Sequence, residues 1–185
     1  MTFEEKIIDS QMIYEGAILN LRRDKVTVPN GHSYREIIEH NGGAVLAAIT
    51  DEGKLVMVRQ YRNPAKRVVL EVPAGKIDLG EEPETTAVRE LKEETGYTAG
   101  TVRHLTNFYP SVGYTEEVLH LYLCTDLVPG ETNFDENECI EIEEWEVDQL
   151  CNMILKGQIQ DAKTIITVFM VKEEIASGRL QIGKK

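Results

Sequence analysis

Gly75-Lys-Ile-Asp-Leu-Gly-Glu-Glu-Pro-Glu-Thr-Thr-Ala-Val-Arg-Glu-Leu-Lys-Glu-Glu-Thr-Gly-Tyr97 is the stretch from which the rest of the chain can be read. Its second half carries the start and stop of a helix. Pro83 suits the first turn, where a missing N–H costs nothing, and Gly96 suits the left-handed position past the end. Ala87, Val88 and Leu91 fall in one apolar sector at helical spacing, with Glu90, Glu93 and Glu94 on the neighbouring one. Three carboxylates therefore crowd the last two turns, where the helix dipole favours cations and like charges four apart repel. A solvated acidic face is one reading. A divalent cation resting on that face is the other, and it accounts for the misplaced charge. Carboxylate oxygens suit Mg2+ or Mn2+, and no Cys or His lies close by for zinc.

Outward from this stretch, the pattern is strand-rich. Val68–Val72 is a short buried strand ending at Pro73. Ala44–Thr50 and Leu55–Tyr61 are apolar strands joined by the turn Asp51-Glu52-Gly53-Lys54. Strands over 101–109 and 117–125 follow the helix, and a further one over Cys139–Val147 holds the single Trp. Two helices close the chain, Asp148–Lys156 stopped by Gly157, and Asp161–Ala176 with Asp161 as N-cap and Gly178 as its stop. Helices before and after the late strands of a mixed sheet give an α/β/α sandwich.

Residues 1–41 read as a separate N-terminal antiparallel β segment, with strands over Ile7–Tyr14, Ala17–Val28 and Tyr34–His40 and a turn at Pro29-Asn30-Gly31. Gly42-Gly43 marks the break, and 42–185 form the main domain. The segment is more charged and less apolar than the main domain, which fits either a subunit interface or a plain extension of the main sheet.

The 185 residues bound one ordinary domain with a small appendage, and a 42% hydrophobic fraction supports a packed core. A net charge of −12 argues against a nucleic-acid backbone as partner but not against a phosphate ligand, because bound metal reverses the local sign. Cys124, Cys139 and Cys151 lack metal or redox spacing and read as buried thiols of a reducing compartment. No apolar run reaches membrane-spanning length and the N-terminus lacks a signal-peptide pattern, so a cytoplasmic location is expected.

The quoted stretch fills every specified position of the pattern Gly-x5-Glu-x7-Arg-Glu-U-x-Glu-Glu-x-Gly-U, U being bulky and apolar or aromatic: Gly75, Glu81, Arg89, Glu90, Leu91, Glu93, Glu94, Gly96 and Tyr97. The chain thereby resembles the Nudix hydrolases, whose fold is an α/β/α sandwich with a mixed sheet. That resemblance implies Mg2+, or Mn2+, held by Glu90, Glu94 and the carbonyl of Ala74, with Glu93 assisting catalysis and Arg89 and Glu81 bracing loop and helix. Gln60-Tyr61-Arg62 followed by Glu71-Val72-Pro73-Ala74-Gly75-Lys76-Ile77-Asp78 is similar to the ADP-ribose pyrophosphatase branch, and Gly157–Ile165 to the start of its closing helix. The branch implies substrate contacts from Arg35, Arg59, Arg62 and Glu71, and a homodimer built through the N-terminal sheet. For Arg59 and Arg62 a plain surface pair of arginines is the competing reading. One departure is Val112, where the branch carries proline, with Pro110 two positions earlier.

The expected reaction is Mg2+-dependent hydrolysis of the ADP-ribose pyrophosphate to AMP and ribose 5-phosphate. GDP-sugars, NADH, dinucleoside polyphosphates and coenzyme A are alternatives within the class, since the box reads only diphosphate and metal; a non-catalytic ligand-binding module is the alternative outside it. With the box carboxylates engaged, the base that activates water is sought in the acidic run Asp135-Glu136-Asn137-Glu138. Glu138 best matches the metal ligand or base of the resembling branch, with Glu136 in reserve. A solvated acidic loop is the competing reading there.

Overall fold

The structure is a computed structural model that describes residues 2–134 and 139–183. It divides into two compact units, one of residues 1–42 with 109–118, the other of residues 43–108 with 119–185.

The first unit is an antiparallel meander of β1 (Ile7–Glu15), β2 (Asn20–Val28) and β3 (Gly31–Glu39). Val28 pairs with Gly31 across a two-residue turn, and Gly31 takes the positive φ of 124° that glycine tolerates. β2 begins later than the sequence pattern suggested, because Gly16 and Leu19 close a turn by a 3.1 Å backbone bond. The segment 109–118 lies along β3: Tyr114 accepts from the Ile38 amide at 2.7 Å, and Ile38 accepts from Glu116 at 2.9 Å.

The second unit is the layered part. β4 (Gly43–Ala48) sits between β7 (Ala74–Lys76) and β9 (Leu119–Val128) in a four-stranded sheet closed by β8 (Thr98–Phe108). β4 and β9 run parallel and the other pairs antiparallel, which makes this sheet mixed. A second sheet has β5 (Lys54–Arg62) between β6 (Arg67–Glu71) and β10 (Ile140–Glu146). The three helices of the described residues are α1 (Pro83–Thr95), α2 (Val147–Leu155) and α3 (Ala162–Ala176).

Strand alternation builds the sandwich. Ala44, Leu46 and Ala48 of β4 join Ala87 and Leu91 of α1 in one buried cluster with Val56, Tyr122 and Cys124. The intervening Val45 and Ala47 join Leu150 of α2 and Val168 and Val171 of α3 in the other. Successive side chains of a strand face opposite ways, so one apolar run serves both helical layers. Val88, expected in the apolar sector of α1, is 51% exposed instead. The buried stripe runs through Thr86, Ala87, Leu91, Glu94 and Thr95, and a carboxylate occupies its C-terminal end.

Candidate active site

The helix boundaries that place the acidic face are the expected ones. Pro83 opens α1, and Gly96 closes it at φ 74°, its amide bonded to the Lys92 carbonyl at 2.9 Å. Gly75 meets this helix from β7 at a distance no side chain would permit. A methyl group on Gly75 would overlap the carboxyl carbon and Oε1 of Glu90. Glu90 is thus seated directly against the Gly75 backbone. Glu94, 6% exposed, accepts a 3.1 Å bond from the Ala74 amide, so the second carboxylate is seated on the preceding residue.

Arg89 holds the loop and the carboxylates together. Its Nε and Nη2 donate to Glu81 at 3.1 and 2.9 Å, and Nη2 also reaches the Lys76 carbonyl at 3.3 Å. Its Nη1 donates to Glu90 at 2.7 Å and to Glu93 at 3.0 Å. The Glu81 carboxyl is pulled down to about 2 by the bonds from Arg89, then Thr86 and the Asp78 amide. Arg89 itself is raised above its ordinary value, chiefly by Glu81.

The donor set suits a hard divalent cation. Oxygen ligands alone line the face, and the Gly75 cradle brings Glu90 to the strand that carries Ala74. Among the described residues no three Asp, Glu, His or Cys side chains already converge as a metal cage. Arg89 Nη1 occupies Glu90 and Glu93, and Glu94 accepts from Ala74.

The two strand-end arginines differ. Arg59 makes a two-bond fork on Glu143 of β10, at 2.6 and 3.1 Å, and Glu143 also accepts from the Trp145 indole at 2.7 Å. Arg62 bonds Glu71 through Nε alone, at 2.7 Å, with its side chain 44% exposed. Burial works against the Arg62 charge, but the bond to Glu71 and the charges of Glu71, Glu94 and Asp161 hold its pKa above the ordinary value. Arg62 therefore stands within electrostatic reach of a box carboxylate. Arg35 lies on β3 of the first unit, ion-paired with Glu5 and bonded to the Ser33 hydroxyl at 3.1 Å.

Sequence reading passed over Lys163, and it took Asp161 for a helix cap alone. Lys163 bonds Glu71 and, at 3.0 Å, Asp161, which caps α3 by accepting from the Thr164 amide at 3.0 Å. Burial pushes the Asp161 carboxyl up, but the Lys163 charge and the bonds from Thr164 and Lys163 outweigh it and keep it below the usual carboxylate range. The available signal was a cation in a first helical turn, where the dipole disfavours it. Glu136 and Glu138 lie outside the described residues. The Asn133 amide donates to the Glu93 carbonyl at 3.0 Å, which places the chain just before that acidic run at the C-terminal end of α1.

The model of the NUDIX domain matches residues 40–168, which takes in both sheets of the second unit and the acidic helix. The chain belongs to the Nudix hydrolase family. A second model, the nucleoside diphosphate sugar hydrolase N-terminal domain, matches residues 5–35. Among similar Nudix relatives, the ADP-ribose pyrophosphatase of Bacillus subtilis is 41% identical over 170 residues, covering 90% of this chain and 92% of that protein. The methanol dehydrogenase activator of Bacillus methanolicus is 42% identical over 169 residues, covering 90% and 91%. The ADP-ribose pyrophosphatase of Mycobacterium tuberculosis is 36% identical over 168 residues, covering 89% and 81%. A solved ADP compounds hydrolase shares the Nudix fold at a TM-score of 0.84 with 21% identity, over 97% of this chain and 99% of that one.

Proposed function

We propose that this Nudix hydrolase cleaves the pyrophosphate of ADP-ribose to AMP and ribose 5-phosphate with Mg2+ as cofactor. The observation that carries the reading is Arg62, a half-exposed guanidinium bonded, among the described residues, through Nε only and within the field of Glu94. A phosphate-binding fork beside oxygen ligands for a divalent cation is what a diphosphate substrate needs. Similarity to two relatives named for ADP-ribose supports the sugar. Glu90, Glu94 and the Ala74 carbonyl are the proposed metal ligands, seated by Gly75 and the Ala74 peptide. A cation held there would polarise phosphoryl oxygens and lower the pKa of a bound water. Arg62, aimed by Glu71, holds the diphosphate, Arg59 adds a substrate contact, Arg35 reaches the site of a second copy in the proposed homodimer, and Arg89 keeps the acidic face on the loop. Glu138, with Glu136 in reserve, is the proposed base and further ligand, supported by the Asn133–Glu93 bond that brings the preceding chain to the helix; Glu93 assists.

Incubation with Mg2+ and a panel of nucleoside diphosphate derivatives tests the reading. Preferential release of AMP and ribose 5-phosphate from ADP-ribose supports it, and preference for a GDP-sugar, NADH or a dinucleoside polyphosphate refutes the substrate. The similarity to a methanol dehydrogenase activator favours a second reading, action on a dehydrogenase partner, which added methanol dehydrogenase would reveal as a rise in its rate.

Residues 1–41 are proposed to form a homodimer surface. β1 exposes Ile7, Ile8, Met12, Ile13 and Tyr14, from both alternations of the strand, and so offers apolar area to a second copy. Light scattering showing a fully active monomer at micromolar concentration would refute this. Three free cysteines suit a cytoplasmic location, and no helix among the described residues is long and apolar enough to cross a membrane.

A further inference from the structure

Glu71 is 2% exposed, and each of its carboxylate oxygens is matched by its own cation: Oε1 by Arg62 Nε at 2.7 Å, Oε2 by Lys163 Nζ. A buried carboxylate with one oxygen unmatched is costly, and it would seek a second donor from whatever cation remains. What that second donor would be is visible elsewhere in the same unit. Arg59 meets Glu143, which has no lysine on it among the described residues, through a fork that uses both Nε and Nη2. Arg62 makes no such fork. Among the described residues its guanidinium donates only through Nε, leaving the two terminal nitrogens available on a side chain that is 44% exposed. The second oxygen of Glu143 is shared with a neutral donor, the Trp145 indole at 2.7 Å, whereas that of Glu71 is held by the Lys163 ammonium.

Lys163 occupies its place at a cost that needs a reason. It stands in the first turn of α3, where the helix dipole disfavours a cation. It is 13% exposed and fixed from two sides, by Glu71 and by the capping carboxylate of Asp161 at 3.0 Å. The start of α3 is itself tied to the strand end, because the Thr164 hydroxyl accepts from the Val72 amide at 3.0 Å. The lysine is thus held in register with the residue that follows Glu71.

We infer that Lys163 is a positioning residue for the phosphate subsite: by occupying Glu71 Oε2 it prevents a two-bond Glu71–Arg62 fork and keeps the terminal nitrogens of Arg62 for the substrate diphosphate. This rests on the reading of the chain as a hydrolase of nucleoside diphosphate sugars. Paired terminal nitrogens are the geometry that binds two phosphate oxygens at once, and a fork on Glu71 would remove one of them.

The test uses Lys163→Met, Lys163→Arg, Arg62→Ala and the Arg62→Ala/Lys163→Met pair in the full chain. KM and kcat are measured with Mg2+, Kd for the intact nucleotide sugar is measured calorimetrically on chelator-treated protein, and melting temperature is followed alongside. Lys163→Met should raise KM and Kd about tenfold, the size expected for one charged hydrogen bond, with kcat changed far less. Lys163→Arg should restore most of the binding. In the Arg62→Ala background, Lys163→Met should add no further loss, because its effect passes through Arg62. Unchanged KM and Kd in Lys163→Met, whatever its melting temperature, would overturn the inference. So would a loss that persists in full without Arg62, which would mark direct phosphate contact. The wild type keeps the two readings apart. If it leaves ADP-ribose intact, the substrate assignment fails, and the Lys163 comparison is run on the nucleoside diphosphate derivative it does cleave.

Discussion

Gly75→Ala isolates the seat of the proposed metal ligand from the stability of the fold. The added methyl would overlap the carboxyl carbon, Oε1 and Cγ of Glu90, whereas real Cβ atoms essentially never approach another heavy atom within 3.0 Å. The overlapping atoms belong to the far end of a flexible side chain, so the relief is rotation of Glu90 away from the strand. Off-rotamer adjustment and the partial loss of the Arg89 bond together cost about 1–2 kcal/mol. For a chain of this size that lowers the melting temperature by only a few degrees. The carboxylate, however, has to move by at least about 1 Å, and a misplacement of that size costs about 100-fold in rate. The expected outcome is a folded protein with kcat on ADP-ribose reduced about 100-fold or more. Circular dichroism melting and steady-state kinetics in Mg2+ check the two halves. A variant that keeps kcat within about threefold of wild type would show that the position of Glu90 is immaterial to turnover.

Three further outcomes are expected. Glu94→Gln should reduce kcat at least about 100-fold while leaving the melting temperature unchanged or slightly raised, since the glutamine oxygen still accepts from the Ala74 amide and a charge leaves the negative end of α1; full activity in steady-state assays would remove Glu94 from the site. Saturating Mg2+ at about 100 times its Kd should add about 2.7 kcal/mol, or about 5–10 °C, to chelator-treated protein, as read by scanning calorimetry. Glu81 is depressed from 4.5 to about 2, so unfolding at intermediate pH takes up a proton. Its contribution is therefore fully present above 4.5 and lost as pH falls towards 2, and urea melts of Glu81→Gln should lack a matching part of the acid dependence, on the order of 1 kcal/mol after solvent screening.

The parts of the fold written in local chemistry were legible. Pro83, Gly96 and Asp161 mark helix ends by backbone geometry and side-chain capping that operate within a few residues. The alternation of β4 reads as an apolar run because both of its faces are covered. β7 was not legible: three residues have no period, and their strand character comes from pairing with Gly43–Val45, far away in sequence. Val88 misled for a related reason, since an apolar residue beside a buried stripe shows its exposure only once the partner surface is known. The box carboxylates were recognisable by motif and by their conflict with the helix dipole. Lys163 presents the same conflict with opposite sign, but its partner Glu71 sits 92 residues away, and nothing local announces it.

That shared conflict shows how the two charge anomalies are resolved without metal. At the C-terminal end of α1, Arg89 supplies the positive charge that the acids demand, and it does so with a divided guanidinium. Nε and Nη2 are committed to Glu81 and the Lys76 carbonyl, which fixes the loop, while Nη1 alone serves Glu90 and Glu93. A cation that took over Glu90 would displace a bond from this one nitrogen and leave the loop brace in place. A lysine at position 89 has a single ammonium and could not serve both ends of this arrangement. The residue that ties the acidic face to the loop is therefore also the one whose third nitrogen would give way to the proposed metal, so the face would stay assembled with or without it.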